Sequence, residues 1–312
     1  MNSYNSALNQ LKRNNISIKN EIVSIKKSLN RVLAKDVISP SNYPLSDNTS
    51  LDGYALNSKE TNSLNGKKSK KFKIIKTLAA GDNPNIKSIP KFSAIEVMTG
   101  SIIQKPFDTI YPVEQAKLFS TSSKSKYIIL KNKLKKNEHI RPAGSDFKKG
   151  DKIIKKGQFI NSTHILAFKT LGIEKILVKK IPKLVFYPTG NELSENNKIS
   201  NWKIRNSNTS YLENYTKNLP VKFEVKKILR DNQSGNFKRE IIKNMNSKSD
   251  IVITSGAVSA GKFDFIPKII KKFKVKSMFK GVAIRPGKPI MFAKFKNNMC
   301  FFGLPGNPIS SA

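Results

Sequence analysis

The last part of the chain, residues 177–312, alternates apolar runs with helix-like segments, and this alternation constrains the fold more than any other feature. The expected strands are Lys183–Tyr187, Val221–Ile228, Ile251–Thr254, Met278–Val282, Pro289–Lys294 and Met299–Phe302. The expected helices are Asn208–Asn218, Asn236–Asn246 and Asp264–Phe273. Alternating strands and helices are typical of an open, mostly parallel α/β sheet. Ligands of such sheets bind beyond the carboxyl ends of the strands, so the turns there are the first candidates for a functional site.

The first 176 residues lack this alternation. Residues 41–138 carry short β-like runs between turns, which predict a small β-rich domain. These runs are Phe72–Thr77, Ala94–Met98, Thr109–Pro112 and Tyr127–Leu130, whereas the polar, Lys-rich segment Asn57–Lys71 is expected to be a loop. Residues 1–40 and 139–176 are expected to form an elongated lobe of helices and linkers.

Two segments of that lobe carry helical patterns. Between Ile22 and Leu33, apolar residues recur every three to four positions, which predicts an amphipathic helix. A second helix is predicted over Ser162–Leu171 and would end at Gly172, a residue suited to a helix C-cap. The predicted fold class is therefore multidomain α/β plus β: an α/β domain at 177–312, a small β-rich domain at 41–138, and the lobe of residues 1–40 and 139–176.

The chain is strongly basic, because 58 Lys and Arg residues outnumber 21 Asp and Glu residues and give a formal net charge of +37. Such a charge suggests a nucleic acid or a membrane surface as partner. The Lys residues are scattered, however, and Lys, Asn and Ile, which are all abundant here, share A/T-rich codons. No recognition helix, zinc-finger spacing or aromatic interleaving accompanies the charge. We therefore interpret it as a property of solvated surfaces and do not expect a nucleic-acid partner.

Several classes of protein are excluded by what the sequence lacks. No apolar run approaches the roughly 20 residues of a membrane-spanning helix, so no membrane partner is expected. The polar N-terminus shows no secretory signal, and Cys300 is the only cysteine, so a cytoplasmic location is expected. One Cys and two His residues argue against a zinc site. The expected metal is a hard cation on carboxylates.

Oxygen-rich and small residues follow three of the predicted strands. Ser255, Gly256 and Ser259 lie in the loop after Ile251–Thr254, where backbone N–H groups and a following helix could bind an anion. The alternative is a tight β–α turn without a ligand. The turn Pro188–Glu192 repeats the pattern, and in the turn Pro305–Pro308 the third residue, Asn307, is a fitting N-cap before Pro308.

Charged residues add candidates around these turns. Arg285 and Lys288 flank a Pro-Gly turn and could bind an oxyanion, although a solvated turn is the alternative. Acids are scarce, which draws attention to three that follow turns or strands, Asp52, Asp231 and Asp264. They are candidate Mg²⁺ ligands or, alternatively, turn and capping residues. Thr99 is a further hydroxyl at a strand end.

Taken together, ordered motifs along nearly the whole chain resemble the molybdopterin molybdenumtransferases, the MoeA family, which includes the E domain of gephyrin. The motifs are Asp47-Asn48, Asp52-Gly53-Tyr54-Ala55, Ala80-Gly81, Met98-Thr99-Gly100, Ile140-Arg141-Pro142-Ala143-Gly144-Ser145-Asp146, Thr189-Gly190-Asn191-Glu192-Leu193, Ser207-Asn208, Thr254-Ser255-Gly256-Ala257-Val258-Ser259, Arg285-Pro286-Gly287-Lys288-Pro289 and Gly303-Leu304-Pro305-Gly306-Asn307-Pro308. No single motif would suffice, but their order and spacing make coincidence improbable.

The resemblance implies an enzyme that inserts molybdenum from molybdate into adenylylated molybdopterin, with Mg²⁺ as cofactor, and releases AMP and the molybdenum cofactor. It implies a homodimer. The catalytic residues would be Asp52, Thr99, Glu192, Asp231 and Asp264, of which the four acids would also bind Mg²⁺. The substrate-binding residues would be Ser255, Gly256, Ser259, Arg285, Lys288, Pro305 and Pro308.

Some positions depart from the family pattern. Asn191 and Asn206 stand where Asp is usual, and Lys262 stands where an acid is common, so Mg²⁺ binding is expected to weaken. Ala257 replaces a usual Gly, which the turn tolerates only with a negative φ. The family's C-terminal β domain is also expected to be missing. These departures leave open a scaffold or ligand-binding protein of the same fold without catalysis.

Overall fold

The computed structural model describes residues 1–122, 125–196, 198–259 and 264–312. Within them, the strands β1–β20 are, in chain order, Asn20–Ser24, Val37–Ile38, Asn48–Thr49, Gly53–Leu56, Asn65–Leu78, Ser93–Val97, Thr109–Pro112, Leu118–Ser122, Ser125–Asn132, Ile140–Arg141, Lys152–Ile154, Lys175–Lys179, Lys183–Pro188, Leu193–Ser194, Ile204–Arg205, Lys222–Val225, Ile251–Ser255, Val275–Lys280, Met291–Phe295 and Cys300–Leu304. The helices α1–α6 are Tyr4–Arg13, Ser162–Thr170, Ser207–Thr216, Ser234–Asn246, Ile266–Ile270 and Pro308–Ser311. Three 3₁₀ turns cover Ile25–Lys27, Ser58–Thr61 and Val113–Gln115.

The chain divides into two compact units. The first, here called the α/β unit, comprises Met1–Lys35, Lys156–Ser162 and Lys175–Ala312. The second, the β unit, comprises Asp36–Lys155 and Thr163–Glu174. The three-part division into domains stays a prediction.

The α/β unit is built on a six-stranded sheet of order β16-β13-β17-β20-β19-β18. The strands β16, β13, β17 and β20 run parallel to one another. The strands β19 and β18 follow β20 in antiparallel orientation. The prediction of an open, mostly parallel sheet is therefore confirmed. The predicted helices α3, α4 and α5 are present as well, but α5 begins at Ile266, and its N-cap position is held by Phe265.

Apolar side chains of β13, β17 and β20 pack under α4 and α5 to form the main core of this unit. Val185, Val252 and Phe301 are completely buried in it, and the rings of Phe237 and Phe301 meet edge to face. The Tyr187 hydroxyl also lies inside, where it donates to Glu240 at 2.7 Å. Burial, followed by the hydrogen bond to Glu240, raises the pKa of Tyr187 far above its usual value. The floor beneath the carboxyl ends of the strands is thus rigid.

The helix predicted between Ile22 and Leu33 is wrong. The structure has the strand β1 and a 3₁₀ turn there, and β1 pairs antiparallel with β12, so that Ile22 lies opposite Leu177. The three- to four-residue spacing suits a helix, but β-branched residues such as Ile22 and Val23 also favour strands. Pairing with a partner more than 150 residues away decided between the two.

The β unit contains a six-stranded sheet of order β7-β4-β6-β5-β9-β8. Four of its strands contain the predicted runs, which confirms a β-rich region. The predicted loop Asn57–Lys71 is wrong in its second half, because β5 begins at Asn65 and pairs with β9. The exposed Lys side chains at the start of β5 give this segment the composition of a loop, so the strand could not be recognised from composition. In the same unit α2 covers Ser162–Thr170 as predicted, and Gly172 follows with a φ of +70°.

None of the helices in the described ranges is long and apolar enough to cross a membrane.

Candidate functional site

The turns that follow β13, β17 and β20 are joined into one continuous edge of the α/β sheet. Thr189 N–H donates to the carbonyl of Ser255 at 3.0 Å, and the Thr189 hydroxyl donates to the same oxygen at 2.6 Å. Gly256 N–H donates to the carbonyl of Leu304 at 2.9 Å. The three predicted turns are therefore neighbours, at the edge where parallel sheets bind ligands.

Gly256 allows this close approach of backbones. Its φ is +94°, and a Cβ at this position would lie 2.7 Å from the Thr189 carbonyl oxygen and 2.8 Å from the Thr189 hydroxyl. No side chain fits in that space. The next residue, Ala257, has a φ of +54°, so the sequence-based condition of a negative φ is not met and this alanine holds a left-handed conformation.

The Ser255 hydroxyl lies at this edge without a partner. Ser255 is 1% exposed and Thr254 is fully buried, and neither hydroxyl makes a hydrogen bond to the residues that the structure describes. Buried polar groups in native proteins are nearly always paired with protein, water or ligand. Ser255 therefore contributes, next to Gly256, a hydroxyl whose hydrogen bond no described residue supplies.

The N-terminus of α3 adds to the same edge. Asn208, in its first turn, is buried and donates through its side-chain amide to the Gly306 carbonyl at 3.1 Å. Asn206, the N-cap residue, makes no capping bond, and its side-chain oxygen is buried without a partner in the described structure. The first turn contains no acid. Free N–H groups and the helix dipole make such a terminus attractive to anions.

Two of the predicted acids lie at the Thr189–Leu193 turn, Glu192 within it and Asp231 beside it. The Glu192 carboxylate is exposed and folds back over Gly190, where a Cβ would lie 2.4 Å from one of its oxygens. The backbone N–H of Asp231 donates to the side-chain oxygen of Asn191 at 3.2 Å, which brings the two segments together. The amide of Asn191 accepts this bond as a carboxylate would, so its departure from the family pattern removes a charge and keeps the contact.

The loop after β17 is only partly described. Ser259 is exposed, and its carbonyl accepts a hydrogen bond from Lys280 at 2.6 Å. Lys262 lies outside the described residues. Asp264 is half-buried just before α5. The predicted roles of Ser259 and Asp264 stay predictions.

The basic turn and the last strand end also come together. Arg285 and Lys288 are exposed between β18 and β19. A Cβ on Gly287 would lie 3.5 Å from the carbonyl oxygen of Ser310 in α6, so this turn lies against the segment that begins at Pro305. Pro305 itself is buried.

The last strand end also confirms a predicted helix start. Asn307 caps α6 by accepting a hydrogen bond from the backbone N–H of Ile309 at 2.9 Å, and Pro308 is the first helical residue, exposed to solvent. The sequence signature of an N-cap followed by proline is therefore confirmed.

Asp52 and Thr99 form a separate site in the β unit. Thr99 donates to one Asp52 oxygen through its backbone N–H at 2.7 Å and through its hydroxyl at 2.8 Å. These two bonds, the backbone one first, lower the pKa of Asp52 below its usual value. Gly53 follows because a Cβ there would lie 2.3 Å from the Tyr111 carbonyl. One oxygen of the Asp52 carboxylate is thus fixed by two hydrogen bonds, which favour its ionised form.

The acids do not form a preassembled metal centre. Among the described residues, no three His, Cys, Asp or Glu side chains lie together as metal ligands. Mg²⁺ commonly binds through one or two protein carboxylates together with substrate phosphates and water. Glu192 and Asp231, on adjoining segments of one edge, fit that second pattern.

Comparisons with known proteins agree with this geometry. Residues 2–172 match the family model described as "MoeA N-terminal region (domain I and II)", and residues 187–312 match "Probable molybdopterin binding domain". The first match alone spans more than half of the chain. The chain belongs to the MoeA family.

Relatives within the MoeA family are similar over nearly the whole chain. The molybdopterin molybdenumtransferase of Staphylococcus aureus (strain Mu50) is 33% identical over 287 residues, which are 92% of this chain and 66% of that protein. The Staphylococcus epidermidis protein of the same name (strain ATCC 12228) is 32% identical over 98% of this chain and 71% of its own length. The chain thus spans just under two thirds of the S. aureus relative.

Solved MoeA structures share the fold. A molybdopterin biosynthesis MoeA protein from Pyrococcus horikoshii superposes with a TM-score of 0.86 at 28% identity, covering 99% of this chain and 75% of the other. A second structure of a P. horikoshii MoeA protein gives a TM-score of 0.78 at 25% identity, with 100% and 75% covered. The predicted fold class is therefore confirmed.

Three contributors to the candidate site were not among the predicted residues. Thr189 bridges two strand ends, Asn208 ties α3 to the last turn, and Arg230 donates to three carbonyls of the Thr189–Leu193 turn. Thr189 and Asn208 lie in motifs that carried the resemblance, so that signal was available. Arg230 was missed because its role depends on a contact between segments about 40 residues apart.

Proposed function

We propose that this protein inserts molybdenum from molybdate into adenylylated molybdopterin, and releases AMP and the molybdenum cofactor. The proposal is supported by the family membership and by the names of the relatives, which place them in molybdenum cofactor biosynthesis. Because the chain spans just under two thirds of the S. aureus relative, the activity is proposed here and tested below by experiment.

One observation carries the proposal: the Ser255 hydroxyl, which is buried and has no partner among the described residues, lies next to the backbone of Gly256, on the edge that the α3 N-terminus joins through Asn208 and Gly306. Together these groups offer donors to an oxyanion at the carboxyl edge of a parallel sheet. The phosphate of the pterin substrate is an anion of the required kind. A ligand oxygen at this point would satisfy the hydroxyl and the free N–H groups of α3.

Arg285 and Lys288 would bind a second oxyanion, either molybdate or the adenylyl phosphate. Both side chains are exposed on a turn that lies against the Pro305–Pro308 segment. Arg can donate two parallel hydrogen bonds to a pair of oxygens on one oxyanion, whereas Lys acts as a point charge. The pair would orient the anion relative to the bound pterin.

The acids would hold Mg²⁺ and position the phosphoanhydride. Glu192 and Asp231 would bind the cation directly, and Asp264 would contribute a further carboxylate of the same unit. Asp52, which Thr99 keeps ionised, is proposed as a separate carboxylate ligand in the β unit. When bound, Mg²⁺ neutralises the negative charge that develops as the phosphoanhydride is cleaved. We also propose a cytoplasmic homodimer, from the cysteine content and the resemblance, respectively; size-exclusion chromatography with light scattering tests the dimer.

Release of AMP tests the function. The protein mixed with adenylylated molybdopterin, molybdate and Mg²⁺ should release AMP, and Ser255→Ala should weaken substrate binding by about tenfold because one hydrogen bond to a charged group is lost. Ser247→Ala, at the C-cap of α4 before β17 begins, is the control and should bind as the unchanged protein does. Binding without any AMP release would favour a scaffold of the same fold, and absence of binding would refute the proposal.

A further inference from the structure

The four backbone carbonyls from Gly190 to Leu193 all accept hydrogen bonds, and one side chain supplies most of them. The two N–H groups of the Arg230 Nη1 atom donate to three carbonyls, those of Gly190 at 3.1 Å, Asn191 at 3.2 Å and Leu193 at 3.0 Å, so at least one N–H is shared between two acceptors. The remaining carbonyl, that of Glu192, accepts from Ile204 N–H at 2.9 Å. Three of the four carbonyls therefore face one guanidinium nitrogen, and the Asn191 carbonyl also accepts from the ammonium group of Lys203.

Arg230 is itself firmly placed. Its backbone N–H donates at 3.1 Å to the side chain of Gln233, the N-cap residue of α4. The residue before it, Leu229, is buried and accepts from Gly190 N–H at 3.0 Å. The guanidinium is therefore anchored to α4 and to the sheet, and can fix the turn relative to both.

The conformation of this turn determines where the Glu192 carboxylate points. Gly190 has a φ of +136°, and the Glu192 carboxylate lies so close above it that a Cβ would be within 2.6 Å of three of its atoms. If the turn relaxed, its carbonyl oxygens would also be free to face an incoming phosphate and repel it. The guanidinium of Arg230 prevents both the relaxation of the turn and the exposure of its carbonyl oxygens, because it turns the carbonyls inwards.

We propose that Arg230 is a positioning residue, which holds the Gly190–Leu193 turn so that the Glu192 carboxylate is preorganised for Mg²⁺ and the substrate. This role rests on the proposed function for the part that concerns Glu192. The clamp on the turn rests only on the hydrogen bonds. Groups held in productive geometry before binding lower the cost of reaching the transition state.

The experiment compares Arg230→Met, which keeps an apolar stem and removes every donor, with Arg230→Lys, whose ammonium carries three donors. Arg239→Met, on the exposed face of α4, is the matched control for the loss of one positive charge. Hydrogen exchange of the Gly190 and Ile204 amides is measured by mass spectrometry, and the Mg²⁺ concentration for half-maximal AMP release is measured in parallel.

Arg230→Met should speed exchange of these two amides by about tenfold or more, because each bond to a charged donor stabilises the closed turn. The half-maximal Mg²⁺ concentration should rise by about tenfold for the same reason. Arg230→Lys should restore most of both values, and Arg239→Met should change neither.

Unchanged exchange in Arg230→Met would overturn the clamp. Faster exchange with an unchanged Mg²⁺ dependence would overturn its link to Glu192. If the unchanged protein releases no AMP, the proposed function fails while the exchange result still decides the clamp. If Arg230→Met does not fold, Arg230→Gln replaces it, and the exchange of the turn must rise there for the proposal to stand.

Discussion

The candidate sites of the two units differ in how their polar groups are satisfied. In the β unit, Asp52 already accepts two hydrogen bonds from Thr99. In the α/β unit, the hydroxyls and amide oxygen at the β17 end and the α3 start lack partners among the described residues, namely Thr254, Ser255, Asn206 and Thr209. At the first site the carboxylate already has its hydrogen bonds, whereas at the second site polar groups still lack them within the described residues. Only the second has the unmet hydrogen bonds that a ligand would complete.

The backbone shows the same contrast. Around Ser255, two consecutive residues, Gly256 and Ala257, have φ values of +94° and +54°. Such conformations cluster at functional sites, where the surrounding structure stabilises them. Thr99 of the β unit is also followed by a residue of positive φ, Gly100 at +86°, but glycine adopts this conformation without the Cβ penalty that Ala257 carries. The α/β site therefore carries the greater strain and should respond more strongly to small changes.

The largest effect is expected from Gly256→Ala. The new Cβ would collide with Thr189 and force a positive φ on alanine, so the free energy of unfolding of the α/β unit should fall by about 1–3 kcal/mol. Chemical denaturation followed by circular dichroism measures it. Gly235→Ala, where α4 offers open space, is the control and should stabilise by up to about 1 kcal/mol. If Gly256→Ala and Gly235→Ala changed the free energy of unfolding equally, the greater strain that we assign to the α/β site would be refuted.

A smaller change of opposite sign is expected from Ala257→Gly. Glycine adopts the left-handed conformation without the penalty of a Cβ, so the free energy of unfolding should rise by roughly 0.5 kcal/mol after the entropy of the unfolded chain is deducted. Ala283→Gly, in a loop of the same unit without a positive φ, should destabilise instead. Destabilisation by both changes, measured in the same denaturation experiment, would show that Ala257 is not strained.

The smallest effect concerns the β unit and is electrostatic. Thr99→Ala removes the hydroxyl and keeps the backbone N–H, so the pKa of Asp52 should rise part of the way towards its usual value. Because the folded-state pKa of Asp52 is lowered, its charge persists as the pH falls until that folded pKa is reached, and in Thr99→Ala it is lost at a higher pH. Carbon-detected NMR titration, with Asp52→Asn to assign the signal, measures the shift. No shift would mean that the backbone bond alone fixes Asp52.

Much of the fold could be read from local patterns. The strands β7, β13 and β17 and the helix α2 lie within one residue of their predicted bounds, because each is a short apolar run or helix between clear breakers. The errors fell where local signals conflicted with pairing. The spacing from Ile22 onwards suggested a helix and became β1, and the Lys-rich start of β5 suggested a loop.

The sequence by itself determined the kinds of group at the site and their order: hydroxyls and glycines after strands, scarce acids, and a basic Pro-Gly turn. Chemistry and spacing are local properties, so these could be read directly. The tertiary structure decided which groups meet. It joined Thr189 to Ser255 between neighbouring strands, buried the Ser255 hydroxyl where no described residue pairs with it, and gave Arg230 three carbonyls to hold. Those outcomes depend on strand register and on the crossover connections between parallel strands, which are fixed by contacts between residues far apart in sequence.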